Sequence, residues 1–138
     1  MPPFTLTAET GRVLIDAVGS SGSELFAACS AAYFSSICRL DKVRATQAYE
    51  LERTADSLEE LFLGWMSDLV WVFSEQEVAC SQVSFSHWSP SSYTATLLGE
   101  PLDLARHKPQ DIVEAVSVEG LELQAVPGHW TARVILLT

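Results

Sequence analysis

At 138 residues, 48% of them hydrophobic, the sequence suits one compact domain over residues 1–138 with a real core and little room for a second. Eight Lys and Arg stand against 18 Asp and Glu, a formal charge of −10, so the surface as a whole repels phosphate backbones and direct nucleic-acid binding is disfavoured. The cations look scattered in sequence, with RHKP at 106–109 the nearest thing to a cluster, and no basic stripe with interleaved aromatics can be drawn.

No apolar run approaches the roughly 20 residues of a membrane-spanning helix. The opening MPPFTLTAE has neither the basic region nor the apolar stretch of a leader, so the expectation is a cytoplasmic protein with no membrane partner. Cys29, Cys38 and Cys80 are an odd number without C-x-x-C spacing, which suits a reducing compartment and offers no finger-type zinc set.

In chain order, strand patterns occupy 4–8 and 12–18, parted by Gly11. A helix follows over 20–37, with Leu25, Cys29 and Ala32 on one face and a capping-box pair, Ser21 and Glu24, at its start. Residues 43–51 alternate as a strand. The spacing of Leu58, Leu61, Phe62, Trp65, Leu69 and Val72 predicts a second helix over 56–73, with Asp56 as N-cap and Glu59 at the third position.

Leu63, Met66, Val70 and Phe73 lie off that stripe, so this helix is expected to be enclosed on more than one side. Gly64 in mid-helix points to close packing. Strands are predicted at 78–86, 92–98, 112–118, 120–126 and 131–137, with one long polar connection, GEPLDLARHKPQD, over 99–111. Trp65 and Trp71 read as core, whereas Trp88 and Trp130 border turns and read as a surface patch. Runs of strands broken by two helices without βαβ alternation predict an α+β domain, two amphipathic helices packed on a mostly antiparallel sheet.

Chemistry is hard to find by motif. There is no G-x-S-x-G elbow, no G-x-G-x-x-G and no G-x-x-x-x-G-K-[ST], so neither a hydrolase triad nor a nucleotide cradle is indicated. Cys29 reads as a buried small hydrophobe, and each acidic residue taken singly reads as a solvated face.

Taken in order, LTAETG (6–11), the serine turn before ELFAACSAAYF (24–34), DSLEELFLGWMSDLVWVF (56–73), LLGEPLDLARHKP (97–109) and WTARVILLT (130–138) resemble the archease family over nearly the whole chain. The resemblance implies nested strand-helix-strand-strand modules and a non-enzymatic role. Archeases act as accessory proteins that promote guanylylation and turnover of a GTP-dependent RNA ligase joining 3′-phosphate to 5′-hydroxyl ends in tRNA splicing or RNA repair. The implied partner is therefore an RNA ligase protein, and electrostatic steering suits an acidic chain docking on a basic one.

The family pattern also implies a divalent metal, Ca²⁺ or Mg²⁺, held by an aspartate, a penultimate aspartate and the C-terminal residue. By position these are Glu9, Leu137 and Thr138, and Leu6 stands where the family has histidine. Leu137 has no ligand oxygen in its side chain, so the site is expected to be degenerate and its affinity weakened.

Three further departures fall at Glu114, where the family has lysine, Ser117, where it has threonine, and Glu119, where it has histidine. Glu100, Asp103 and His107 are retained and are the partner-facing candidates, His107 reading as an exposed loop histidine from pattern alone. The competing expectation is a diverged interaction module of the same fold, without metal or ligase activation.

Overall fold

The computed structural model describes residues 3–107, 109, 113 and 115–138. Strands β1 (Phe4–Glu9) and β2 (Arg12–Gly19) form an antiparallel hairpin. Val13, Ile15 and Ala17 alternate into the core along β2.

Helix α1 (Gly22–Ile37) starts at Ser21, whose hydroxyl accepts from the Glu24 amide at 3.3 Å. The Glu24 carboxylate in turn accepts from the Ser20 amide at 2.9 Å, so the predicted capping pair is formed one residue wider than the usual box.

A 3₁₀ turn at Leu40–Lys42 delays the next strand, β3, to Gln47–Thr54, so the strand expected from residue 43 begins later and ends later. Helix α2 spans Leu58–Ser74 and is capped by Ser57, which accepts from the Glu60 amide at 3.1 Å. The expected cap, Asp56, lies one residue too early, and its own amide instead faces the Glu60 carboxylate.

Strands β4 (Val78–Ser89) and β5 (Ser92–Pro101) form the second hairpin. The connection read as irregular from residue 99 therefore begins inside β5, and it also contains a short helix, α3 (Leu104–His107). The two strands expected at 112–118 and 120–126 are one strand, β6 (Ala115–Val126), whose pairing with β7 (His129–Leu137) shifts register between Ser117 and Glu122. Gly120, at φ +78°, takes the left-handed conformation that this irregularity requires and that a side chain disfavours. Residues 112 and 114 of the expected strand lie outside the described residues.

The strands make two antiparallel sheets where one was expected, ordered β1-β2-β7-β6 and β3-β5-β4. Helix α1 packs on β2 and β4, and α2 on β6, β3 and β4 as well as on α1, so the helices fill the space between the sheets. That position explains why α1 buries Leu25, Phe26, Cys29, Ala32, Tyr33 and Phe34, far more than one stripe. None of the described helices is long and apolar enough to cross a membrane.

Trp65 is buried as expected, but Trp71 is not: it is 49% exposed, because α2 turns that face away from both sheets. Trp88 and Trp130 do not form an open patch. They meet edge to face at 5.5 Å, and Trp88 continues onto Phe26 at 5.3 Å over the space left by Gly22. Gly64 leaves room for the Arg53 side chain, which crosses from β3 to grip Asp68 with two hydrogen bonds of 3.1 and 2.8 Å. Tyr93 donates its hydroxyl to the same carboxylate at 2.6 Å, and burial first, then that bond, push the phenol above its ordinary range.

All three cysteines are free and buried. Burial pushes the Cys38 thiol up to about 11 and raises Cys80 to about 12, where Cys38 adds a smaller contribution, so both stay protonated and inert as nucleophiles.

Candidate functional site

Two places in the fold gather the residues that the sequence singled out. The first is where β5 ends and α3 begins. Asp103 caps this short helix by accepting from the amides of Ala105 and Arg106 at 3.1 and 3.2 Å. Its own amide donates to His107 Nδ1 at 2.9 Å, which places the ring proton on Nε2, and Nε2 donates to Glu100 Oε1 at 2.6 Å. Arg106 donates through Nη2 to the same carboxylate oxygen and through Nε to the Lys42 carbonyl at 3.2 Å.

The segment 39–46 closes the arrangement. Arg39 N–H donates to the His107 carbonyl at 3.0 Å and Thr46 N–H to the Gly99 carbonyl at 3.1 Å. The Arg44 amide is also directed at the Glu100 carboxylate.

His107 is fully buried, which corrects its reading as an exposed loop histidine. Glu100 is nearly so, and the groups of this cluster that reach solvent are Asp103 and Arg106. Burial works to raise the Glu100 carboxyl, but the hydrogen bonds from His107, Arg106 and the Arg44 amide outweigh it and hold the group at about 2. Both imidazole nitrogens are thus committed, Nδ1 to the Asp103 amide and Nε2 to the Glu100 carboxylate, which suits the cluster to fixing the shape of its surroundings.

A carboxyl lowered on folding contributes stability above its unfolded value of 4.5 that is lost as pH falls through about 2. Glu100→Gln is therefore expected to be less stable than the parent at pH 6, with the gap closing as both are acidified toward pH 2. Urea unfolding at a series of pH values reads this directly, and a gap independent of pH would show that the charge of Glu100 is not what matters.

The second place is the end of the four-stranded sheet. The register sets Glu9 opposite Arg12 and Arg12 opposite Leu137, while Thr138 N–H donates to the Gly11 carbonyl at 3.0 Å. The strands thus bring Glu9, Leu137 and Thr138 to one end of one sheet. Between Glu9 and Leu137 stands Arg12, which donates Nε to the Glu9 carboxylate at 2.6 Å.

With the Arg12 guanidinium already on Glu9 and no side-chain oxygen on Leu137, the terminal carboxylate of Thr138 is the one further anionic donor of the expected set, fewer oxygens than a divalent cation takes. Among the described residues no group of three or more His, Cys, Asp or Glu is placed to hold a metal. Sequence reading did not weigh Arg12, although its place three residues after Glu9 across a glycine turn was visible. Of the three other family departures, Ser117 donates its hydroxyl to the Glu119 carbonyl at 3.2 Å, and Glu114 lies outside the described residues.

The sequence model of the Archease protein family (MTH1598/TM1083) matches residues 4–136. Among curated relatives, a protein archease of Methanosarcina mazei is 29% identical over 131 residues, covering 92% of this chain and 90% of its own. A protein archease-like of Drosophila melanogaster is 28% identical over 117 residues, 83% of this chain and 75% of its own.

Among solved structures, protein 1598 of Methanobacterium thermoautotrophicum superposes with a TM-score of 0.81 at 23% identity over the full length of both chains. An archease of Thermotoga maritima, described as a possible chaperone, superposes with a TM-score of 0.62 at 12% identity, covering 96% of this chain and 94% of its own. The two-sheet architecture and the sequence from one end of the match to the other agree, and the chain belongs to the archease family.

Proposed function

We propose that this chain is a non-enzymatic accessory protein that docks on a GTP-dependent RNA ligase, promotes guanylylation of the ligase and restores its turnover in tRNA splicing or RNA repair. What supports the reading is family membership together with the intact Glu100–Asp103–Arg106–His107 cluster, a rigid feature with two charged groups turned outward. Asp103 and Arg106 would meet the partner, with Glu100 and the enclosed His107 holding them in place. The test is to mix the chain with its cognate ligase, GTP and 3′-phosphate RNA. Faster ligase guanylylation and multiple-turnover joining are expected, and unchanged rates of both would refute the reading.

In this proposal no tightly held metal takes part, since Glu9 already has a cationic partner in Arg12. Calorimetric titration with Ca²⁺ and Mg²⁺ is expected to give no micromolar binding. Tight binding that disappears in Glu9→Ala would show that a cation displaces Arg12 after all. The same ion pair favours a second reading, an interaction module that has left ligase activation behind, and unchanged ligase rates alongside a stable complex would select it.

A further inference from the structure

Three of the eight cations of the sequence gather in space. The 3₁₀ turn and the residues after it are laid against α3, so that Lys42, Arg44 and Arg106 line one concave pocket of about 430 Å³ with Asp41 and Ala105. That volume falls in the range of small-molecule sites, roughly 300–1,000 Å³. Asp41, the carboxylate in the wall, is taken up by Arg39 at 3.3 Å. Among the described residues Lys42 and Arg44 carry no ion pair.

Two neighbouring cations without an ion pair among the described residues, in a chain of net charge −10, run against the rest of its surface, and their setting is built, not incidental. Buried Glu100 receives the Arg106 guanidinium, and Arg106 Nε is bonded to the Lys42 carbonyl on the opposite wall at 3.2 Å. Arg106 therefore ties the two walls together, and two flexible cationic arms project beside a guanidinium whose position is already set.

We propose that this pocket binds a phosphate group, in which the Lys42 ammonium and the Arg44 guanidinium donate to the phosphate oxygens and Arg106, held by Glu100 and Asp103, forms the fixed wall beside them. Charge-assisted donors of this kind suit a tetrahedral dianion, and pre-positioning of Arg106 lowers the ordering cost of binding. The site needs no metal and no ligase, so it stands or falls separately from the function proposed above.

The full-length chain is titrated, at constant ionic strength, with inorganic phosphate, a nucleoside 5′-monophosphate, the matching nucleoside and a short oligonucleotide ending in a 3′-phosphate, while backbone amide resonances are followed. Saturable shifts at residues 42–46 and 104–107 are expected with the three phosphate-bearing probes and not with the nucleoside. Tighter binding of the mononucleotide would identify a nucleotide as the source of the phosphate, tighter binding of the oligonucleotide a strand end, and equal affinities free phosphate.

Removing both arms, Lys42→Ala with Arg44→Ala, is expected to weaken binding about tenfold or more, the equivalent of one to two charge-assisted bonds. Both side chains are exposed, so folding should be unaffected, and an unchanged thermal midpoint checks it. Arg133→Ala, which deletes a cation on the other sheet, should leave affinity unchanged. Absence of saturation, shifts reproduced by sodium chloride, or equal weakening by Arg133→Ala would each overturn the proposal.

Discussion

Replacing Trp65 by alanine is expected to destabilise the chain by about 4 kcal/mol, among the largest effects of any single substitution. Its indole is fully buried and lies where the two helices and the three-stranded sheet meet. It stacks on Phe26 of α1 at 6.1 Å, meets Tyr93 edge to face at 5.1 Å and touches Phe85 at 5.2 Å. Its N–H also donates to the Phe26 carbonyl at 2.9 Å. Truncation removes aromatic contacts from three elements at once, leaves a cavity between elements that cannot all collapse into it, and deletes a buried hydrogen bond.

Trp71 on the same helix is the control: it is 49% exposed, and its alanine variant is expected to stay within about 0.5 kcal/mol of the parent. Urea unfolding of both proteins settles the contrast, and similar losses for the two would mean that Trp65 is not the junction described.

Gly99→Ala is expected to cost about 3 kcal/mol or more, beyond what an added methyl costs in most cores. A Cβ at this position would overlap the Ala79 carbonyl oxygen and the Cys80 Cα, backbone atoms of the neighbouring strand that cannot rotate aside. The clash falls where β4 and β5 slip register between Cys80 and Gln82, one residue before Glu100. The damage should therefore reach beyond stability: with β5 displaced, Glu100 no longer meets Arg106 and the Arg44 amide together. Loss of both urea resistance and the phosphate-dependent amide shifts is expected. Intact shifts in a folded variant would show that the pocket does not depend on the end of β5.

The elements that the sequence revealed are those with strong local signals. Both helices announced themselves through apolar spacing, and most strands through alternation bounded by Gly11, Pro90 and Gly128. Division into two sheets was not legible, because an alternating strand reports that one face is buried without saying against which layer.

Ser57 and Asp56 are both good caps, and only the backbone decides between them. The exposure of Trp71 was hidden because α2 is apolar on nearly every side, so periodicity could not say which face is left over. At the site, Glu100, Asp103 and His107 were found as a motif, but burial of His107 depends on segment 39–46, which touches the motif only through folding. The basic pocket was invisible for the same reason: Lys42 and Arg106 are 64 residues apart.

The central pairing of the four-stranded sheet joins β2 to β7, as in the Asp16–Arg133 ion pair at 2.7 Å between residues 117 positions apart. A ribosome has to deliver β7 before β2 can gain its inner neighbour, whereas β4 and β5 follow one another as a hairpin. Synthesis therefore leaves the inner edge of β2, with its backbone N–H and C=O groups, open for most of the time that translation takes, and closing this one long loop is the slow step that topology imposes.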